Sequence, residues 1–133
     1  MRELSVNTGA VKVPVKDEFG EVIGEIRFIP TDADILRRYP KVAEFFREFK
    51  VPENAGDDDL IALSDKIKEQ FDFLLNGPVS DGLFAKCSPL TPLADGTLYC
   101  ACVLDAIGDL ILDVFKERAE KLKKVEEATK EYD

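Results

Sequence analysis

Few side chains in this sequence are equipped for chemistry. There are three cysteines, Cys87, Cys100 and Cys102, and no histidine. A zinc site needs a tetrahedral set of Cys and His ligands, commonly begun by a Cys-x-x-Cys pair, and neither the pair nor a histidine is present. On a helix, Cys100 and Cys102 would point in quite different directions. The three thiols therefore read as reduced, semi-buried groups. The carboxylates form two clusters. Asp57, Asp58 and Asp59 are consecutive, without the alternating ligands and closing glutamate of a calcium loop. They read instead as the start of a helix, where acidic groups suit the positive end and one of them can cap it. Asp105, Asp109, Asp113 and Glu117 recur every four residues and line one helical stripe. Like charges at that spacing repel by roughly a few tenths of a kcal/mol per pair. The stripe is either a docking face for a basic partner, a cation site, or a solvated back face opposite Leu104, Ile107, Ile111 and Phe115. No Gly-rich phosphate loop or nucleophile elbow occurs, and no histidine is available to shuttle protons. The expectation is a protein that is not an enzyme and has no cofactor and no metal site.

The elements that would position these groups follow from hydrophobic period. Val11, Val13 and Val15 alternate with Lys12, Pro14 and Lys16, which predicts a half-exposed strand. Pro14 cannot donate a ladder hydrogen bond, so the strand belongs at an edge. Asp17-Glu18-Phe19-Gly20 predicts a turn. Val22, Gly24, Ile26 and Phe28 then alternate with Ile23, Glu25 and Arg27, completing a hairpin. Thr31 or Asp32 is placed to cap a first helix, whose stripe is Ile35, Tyr39, Val42, Phe46 and Phe49. Pro40 predicts either a kink at Tyr39 or a second helix starting there. Leu60, Leu63, Ile67, Phe71 and Leu74 mark the next helix, closed by Asn76-Gly77-Pro78. Residues 79–96 read as a loop with one helical turn near Leu83, Phe84 and Ala85. Thr97 is the expected cap of the last and longest helix, whose apolar face runs from Leu98 to Phe115 and thins to Leu122, Val125 and Tyr132. The fold class is α+β: an N-terminal β-hairpin followed by a mainly α-helical domain with a long C-terminal helix. Residues 1–10 are an expected arm, 11–115 a single domain, and 116–133 a charged helical extension. Ile35, Phe46, Leu63, Ile67, Phe71, Leu104, Ile107, Ile111 and Phe115 are the expected core.

The 133 residues suffice for one domain, with 45% hydrophobic and 34% charged residues to build a core and a charged surface. The net charge is −9, the wrong sign for displacing counterions from nucleic acid. The extension from residue 116 holds six basic and six acidic residues, so the excess negative charge lies before it. It serves solubility or a basic protein partner. No apolar run is long enough for a bilayer span, and Met1 to Asn7 contain no stretch of signal-peptide length. The expected location is the cytoplasm, with no membrane and no nucleic acid among the partners.

One family fits this order of motifs. A hairpin ends in Glu25-Ile26-Arg27-Phe28-Ile29-Pro30-Thr31-Asp32 and leads to Asp34-Ile35-Leu36-Arg37-Arg38-Tyr39. Later come Cys87-Ser88-Pro89-Leu90-Thr91-Pro92-Leu93-Ala94-Asp95-Gly96 and a closing amphipathic helix that ends in Thr129-Lys130-Glu131-Tyr132. Over residues 8–133 this resembles the tail assembly chaperones of long-tailed, siphovirus-type bacteriophages and prophages of Gram-positive bacteria. Pro40 departs from the uninterrupted first helix of that pattern. The resemblance implies a protein that binds the long tape measure protein, keeps it soluble during tail morphogenesis and can recruit the tail tube protein; many such proteins also exist as a longer, frameshifted form. The alternative is a small acidic adaptor or antitoxin-like protein for a basic partner. Phe45 and Phe73 fall off the main stripes, and with Phe49, Leu122 and Val125 they are the expected partner contacts. The edge strand and the thin stripe of the extension also leave surface for a homo-oligomer.

Overall fold

The computed structural model describes the backbone of residues 2–132 and the side chains of residues 2–129. Tyr132 of the thin apolar stripe therefore lies outside the described side chains. The fold is α+β, with a two-stranded antiparallel hairpin followed by helices. Strands β1 (Val11–Lys16) and β2 (Val22–Phe28) pair Val11 with Phe28, Val13 with Ile26 and Val15 with Gly24. The turn is tied by the Asp17 carboxylate, which accepts the Phe19 and Glu21 amides at 2.9 and 3.0 Å. Gly20 supplies the positive φ of 80° that an L side chain resists. The register shifts between Val15 and Lys16, so Lys16 faces Val22 and Ile23 is passed over. A one-residue shift exchanges the two faces of a strand. Val22, expected inward, is accordingly 62% exposed, and Ile23 is half-buried.

Helix α1 (Ile35–Glu48) runs unbroken through Pro40, so there is no second helix start. The lost bond to the Leu36 carbonyl falls where Leu36 faces solvent, which offers that carbonyl water instead. Neither Thr31 nor Asp32 caps α1. The N-cap is Asp34, without a side-chain bond, and Asp32 accepts the Asp34 amide at 2.9 Å to shape the preceding turn. Helix α2 (Asp57–Leu75) begins with Gly56 at the cap. Asp59 reaches back to the Gly56 amide at 3.2 Å, the acidic half of a capping box. Asn76, in the left-handed region at φ 53°, ends the helix, as its type suggests.

A single-turn helix α3 (Ser80–Leu83) follows, one residue turn earlier than expected. Asp72 of α2 holds its start, accepting the Ser80 amide at 2.7 Å and hydroxyl at 2.9 Å. The last helix, α4 (Tyr99–Tyr132), is not capped by Thr97. The Thr97 hydroxyl instead bonds Asp95 at 2.6 Å. Its first amides are met by the preceding loop: Tyr99 donates to the Thr91 carbonyl at 2.8 Å and Cys100 to that of Pro89 at 3.0 Å. The free N–H groups of a helix start need outside acceptors, and here folded backbone supplies them.

The core gathers where these elements meet. Ile26 and Phe28 of β2, Val42 of α1, Ile67, Phe71 and Leu74 of α2, and Cys100, Val103 and Ile107 of α4 are all buried. Of the expected core, Ile67 and Phe71 are fully enclosed and Ile107 is buried, while Ile35, Phe46, Leu63, Leu104 and Ile111 pack half-buried at the margin. Phe115 is a correction, since it is 54% exposed. Helix α4 simply outruns the elements opposite it. Beneath the core, β2 and α3 touch backbone to backbone. A Cβ added at Gly24 would fall onto the Gly82 carbonyl oxygen, and one added at Gly82 onto the Glu25 carbonyl oxygen.

Two mutational outcomes follow from this packing. Gly82→Ala and Gly24→Ala each force the strand and α3 apart, with an expected loss of about 1–3 kcal/mol in urea titration. Ile107→Ala is expected to cost about 2–5 kcal/mol, and Phe115→Ala under about 1 kcal/mol in a dilute sample, because only the first leaves a cavity.

Candidate functional site

The aromatic residues form a connected series across the domain. Phe46 meets Phe71 at 6.0 Å between ring centroids, Phe71 meets Phe84 at 5.2 Å, and Phe84 meets Tyr99 at 5.8 Å. These edge-on contacts tie α1, α2, the end of α3 and α4 together. The Tyr99 hydroxyl donates to the Leu83 carbonyl at 2.9 Å. Burial raises the pKa of this phenol, with a smaller contribution from the neighbouring Cys87 and Cys102.

Phe45 and Phe49 flank the outer end of the series, half-buried and within 6.1 Å of each other. Phe73 points away from the core and is 41% exposed. Phe45 and Phe73 nevertheless share one open hollow between α1 and α2, about 460 Å³, with Lys41, Glu44, Glu48 and Gln70 around it. The Lys41 ammonium sits over the Phe73 ring, 5.8 Å from its centroid, at cation–π range. Phe49 packs behind this hollow and does not line it. Leu122 and Val125 belong elsewhere. They lie on the outer part of α4, where every residue from Ala119 to Thr129 is exposed. Four of the five expected contacts thus divide between an aromatic hollow (Phe45, Phe73) and an exposed helix face (Leu122, Val125), and Phe49 belongs to neither.

The acidic stripe stands on the exposed side of α4. Glu117 pairs with Lys121 at 3.3 Å. Among the described residues, Asp105, Asp109 and Asp113 join no ion pair. Asp105 and Asp109 border a depression of about 430 Å³ between α1 and α4, floored by Tyr39, Leu104, Gly108 and Leu112. Leu36, Tyr39, Leu112 and Phe115 are each more than half exposed around it. Sequence reasoning missed this apolar surface because Leu112 falls off the core stripe and Phe115 was assigned to it. The one available signal was the regular recurrence of Leu112, Phe115, Ala119 and Leu122 on a single helical face.

The cysteines separate by burial. Cys100 is in the core, and burial raises its thiol pKa. Cys102 is exposed and Cys87 half-buried, and both line a cavity of about 540 Å³ with Lys16, Lys86 and Tyr99. Among the described residues, no three His, Cys, Asp or Glu side chains come together as a metal site. Among the same residues, no helix is long and apolar enough to cross a membrane.

One ion pair braces the aromatic region. Arg38 donates to Asp32 at 2.9 Å and, through Nε, to the Leu74 carbonyl at the C-terminal end of α2, also at 2.9 Å. A cation there complements the helix dipole. The Arg38 bond, with the Asp34 amide, holds the Asp32 pKa below its ordinary value. The folded value is therefore lower than the unfolded one. This pair's contribution is complete above the ordinary carboxylate range, near about pH 4, and is lost as pH falls through the lowered folded value. Urea titrations of Asp32→Asn and the native chain should differ at neutral pH and converge in acid.

Comparison of the chain with protein-family models, curated proteins and solved structures returns no match.

Proposed function

We propose that this chain is a tail assembly chaperone of a long-tailed phage or prophage, which holds the tape measure protein in soluble form in the bacterial cytoplasm before the tail tube closes around it. The observation that supports this reading best is the open hollow between α1 and α2. Phe45 and Phe73 offer an apolar floor there, and Lys41, Glu44 and Glu48 offer charge of both signs at its rim. A long helical client presents apolar stripes at repeating intervals. Reversible cover of such a stripe calls for a shallow apolar groove with polar edges, rather than an enclosed pocket. Phe73 is the anchor in this reading, with Phe45 beside it and Phe49 behind both. The motif order of the hairpin, the Pro30-Thr31-Asp32 step and the Cys87–Gly96 loop supports the same family. A basic client segment would also be favoured by the exposed carboxylates of Asp105 and Asp109, the feature shared with the acidic-adaptor reading.

Co-expression tests the proposal. The tape measure protein made alone should precipitate, and this chain should carry it into the soluble fraction as a stable complex. Phe73→Asp should weaken that complex by more than about tenfold, as expected for a central aromatic anchor. If client solubility is unchanged and the two fail to co-purify, the chaperone reading is wrong and the adaptor reading takes its place.

A further inference from the structure

The outer half of α4 needs a partner that the domain does not provide. From Ala119 to Thr129 the helix is exposed on all sides, about three turns of it. A helix of that length is marginal in water when isolated, and here it rests only on its continuity with the packed part of α4 and on Glu–Lys pairs. Its sequence has a second order beyond those pairs. Leu112, Phe115, Ala119 and Leu122 follow one another at spacings of three, four and three residues, and all four are exposed. That is the recurrence of a coiled-coil seam. The seam lies away from the buried Val103 and Ile107, so it does not continue the core.

We infer that this seam binds a second copy of the chain, α4 against α4, antiparallel about a twofold axis beside Glu117. In that register Leu112 faces Leu122 of the second copy, and Phe115 faces Ala119, a large side chain against a small one. Ile111, half-buried at the edge of the core, comes alongside Val125. The charges select both the occupant and the direction. Asp109, which joins no ion pair among the described residues, is brought beside Lys123 of the second copy. A parallel arrangement would leave Asp109 and Lys123 at different levels along the pair, so neither would meet the other. The excess negative charge lies before residue 116 while the extension is balanced. An antiparallel pair thus lays each neutral, lysine-bearing extension on the acidic half of the other helix. Lys116 meets its own counterpart near the axis, and Glu120 lies one turn along to offset it.

The geometry at the receiving end agrees. The seam runs into the depression floored by Tyr39, Leu104, Gly108 and Leu112. A Cβ at Gly108 would meet nothing within 4 Å, so the floor is low where an incoming helix would lie. Tyr39 of α1 lines it and is exposed, and Leu36, one turn earlier on the same helix, is exposed as well. The contact is isologous, the same patch on both copies, and it closes as a dimer. It is separate from the hollow holding Phe45 and Phe73, and it stands whether or not that hollow holds a client. If it is correct, Leu122 and Val125 serve self-association.

Sedimentation equilibrium of the full chain tests the pairing. The native protein should show a reversible monomer–dimer equilibrium. Leu122→Asp should weaken it by more than about tenfold. Asp109→Lys should weaken it by roughly tenfold, and the double variant Asp109→Lys/Lys123→Asp should recover most of the loss. At a dilution where the native chain is monomeric, each variant should keep the native urea midpoint, because Leu122, Asp109 and Lys123 are exposed on α4. A strict monomer at every accessible concentration overturns the inference. So does a dimer indifferent to these substitutions, as association through the β1 edge would give. An open-ended polymer, or a double variant no better than Asp109→Lys, also overturns it.

Discussion

At Gly24 and Gly82 two backbones meet with no side chain between them, and the position of every other element can be traced from that contact. A two-stranded hairpin is marginal in water until one face is covered. Here α3 lies against β2 so closely that neither position admits a Cβ. That approach lets Ile26 and Phe28 enter the same core as Phe71 and Leu83. Helix α3 is too short to hold its place by itself. Asp72 secures it at the front, and the Tyr99 hydroxyl takes up the Leu83 carbonyl at its end. The short helix and both long helices are thereby joined through polar bonds, and the strand by the close backbone approach.

The same loop-to-helix bonding decides the direction of α4. The carbonyls of Pro89 and Thr91 receive the first amides of the helix, so the loop aims it. A helix rises about 1.5 Å per residue and bends little. A direction set at Tyr99 therefore determines where Phe115 and Leu122 come to lie. The helix crosses the core while Cys100, Val103 and Ile107 are buried, then continues beyond the elements opposite it. Arg118, which donates to Thr31 at 3.1 Å, is its last described side-chain bond to the domain.

Two surfaces result, and they differ in character. The hollow with Phe45 and Phe73 is shallow, with charge of both signs around it. On the proposed chaperone reading it would suit a client that must be released. The seam on α4 is linear, periodic and self-complementary in charge, which suits a copy of itself. A chaperone paired in this way would carry two client hollows on one particle, and two weak sites on one particle hold a repetitive client more tightly than either alone. Arg38, bonded to both Asp32 and Leu74, ties α1 to the C-terminal end of α2, the two helices that form the hollow.

Where an element depended on neighbours in sequence, the residues alone were sufficient to identify it. The alternation of Val11, Val13 and Val15, the stripe of Leu63, Ile67 and Phe71, and the stop at Asn76 each report a local preference of period, propensity or turn chemistry. The hairpin, the helices and the α+β class follow from those. Contacts between distant segments left no comparable trace. Nothing near Gly24 in the chain indicates that Gly82 will lie on it. The bulge that exposes Val22 arises from the pairing register, which no single strand encodes. Thr97 has the right type for a cap, yet the carbonyls of Pro89 and Thr91 take that role, because a folded loop offers fixed acceptors without ordering a side chain. Phe115 matched the core period but lies where nothing stands opposite. Period records which face a residue shares with others on its helix, and only packing in three dimensions decides whether that face is covered.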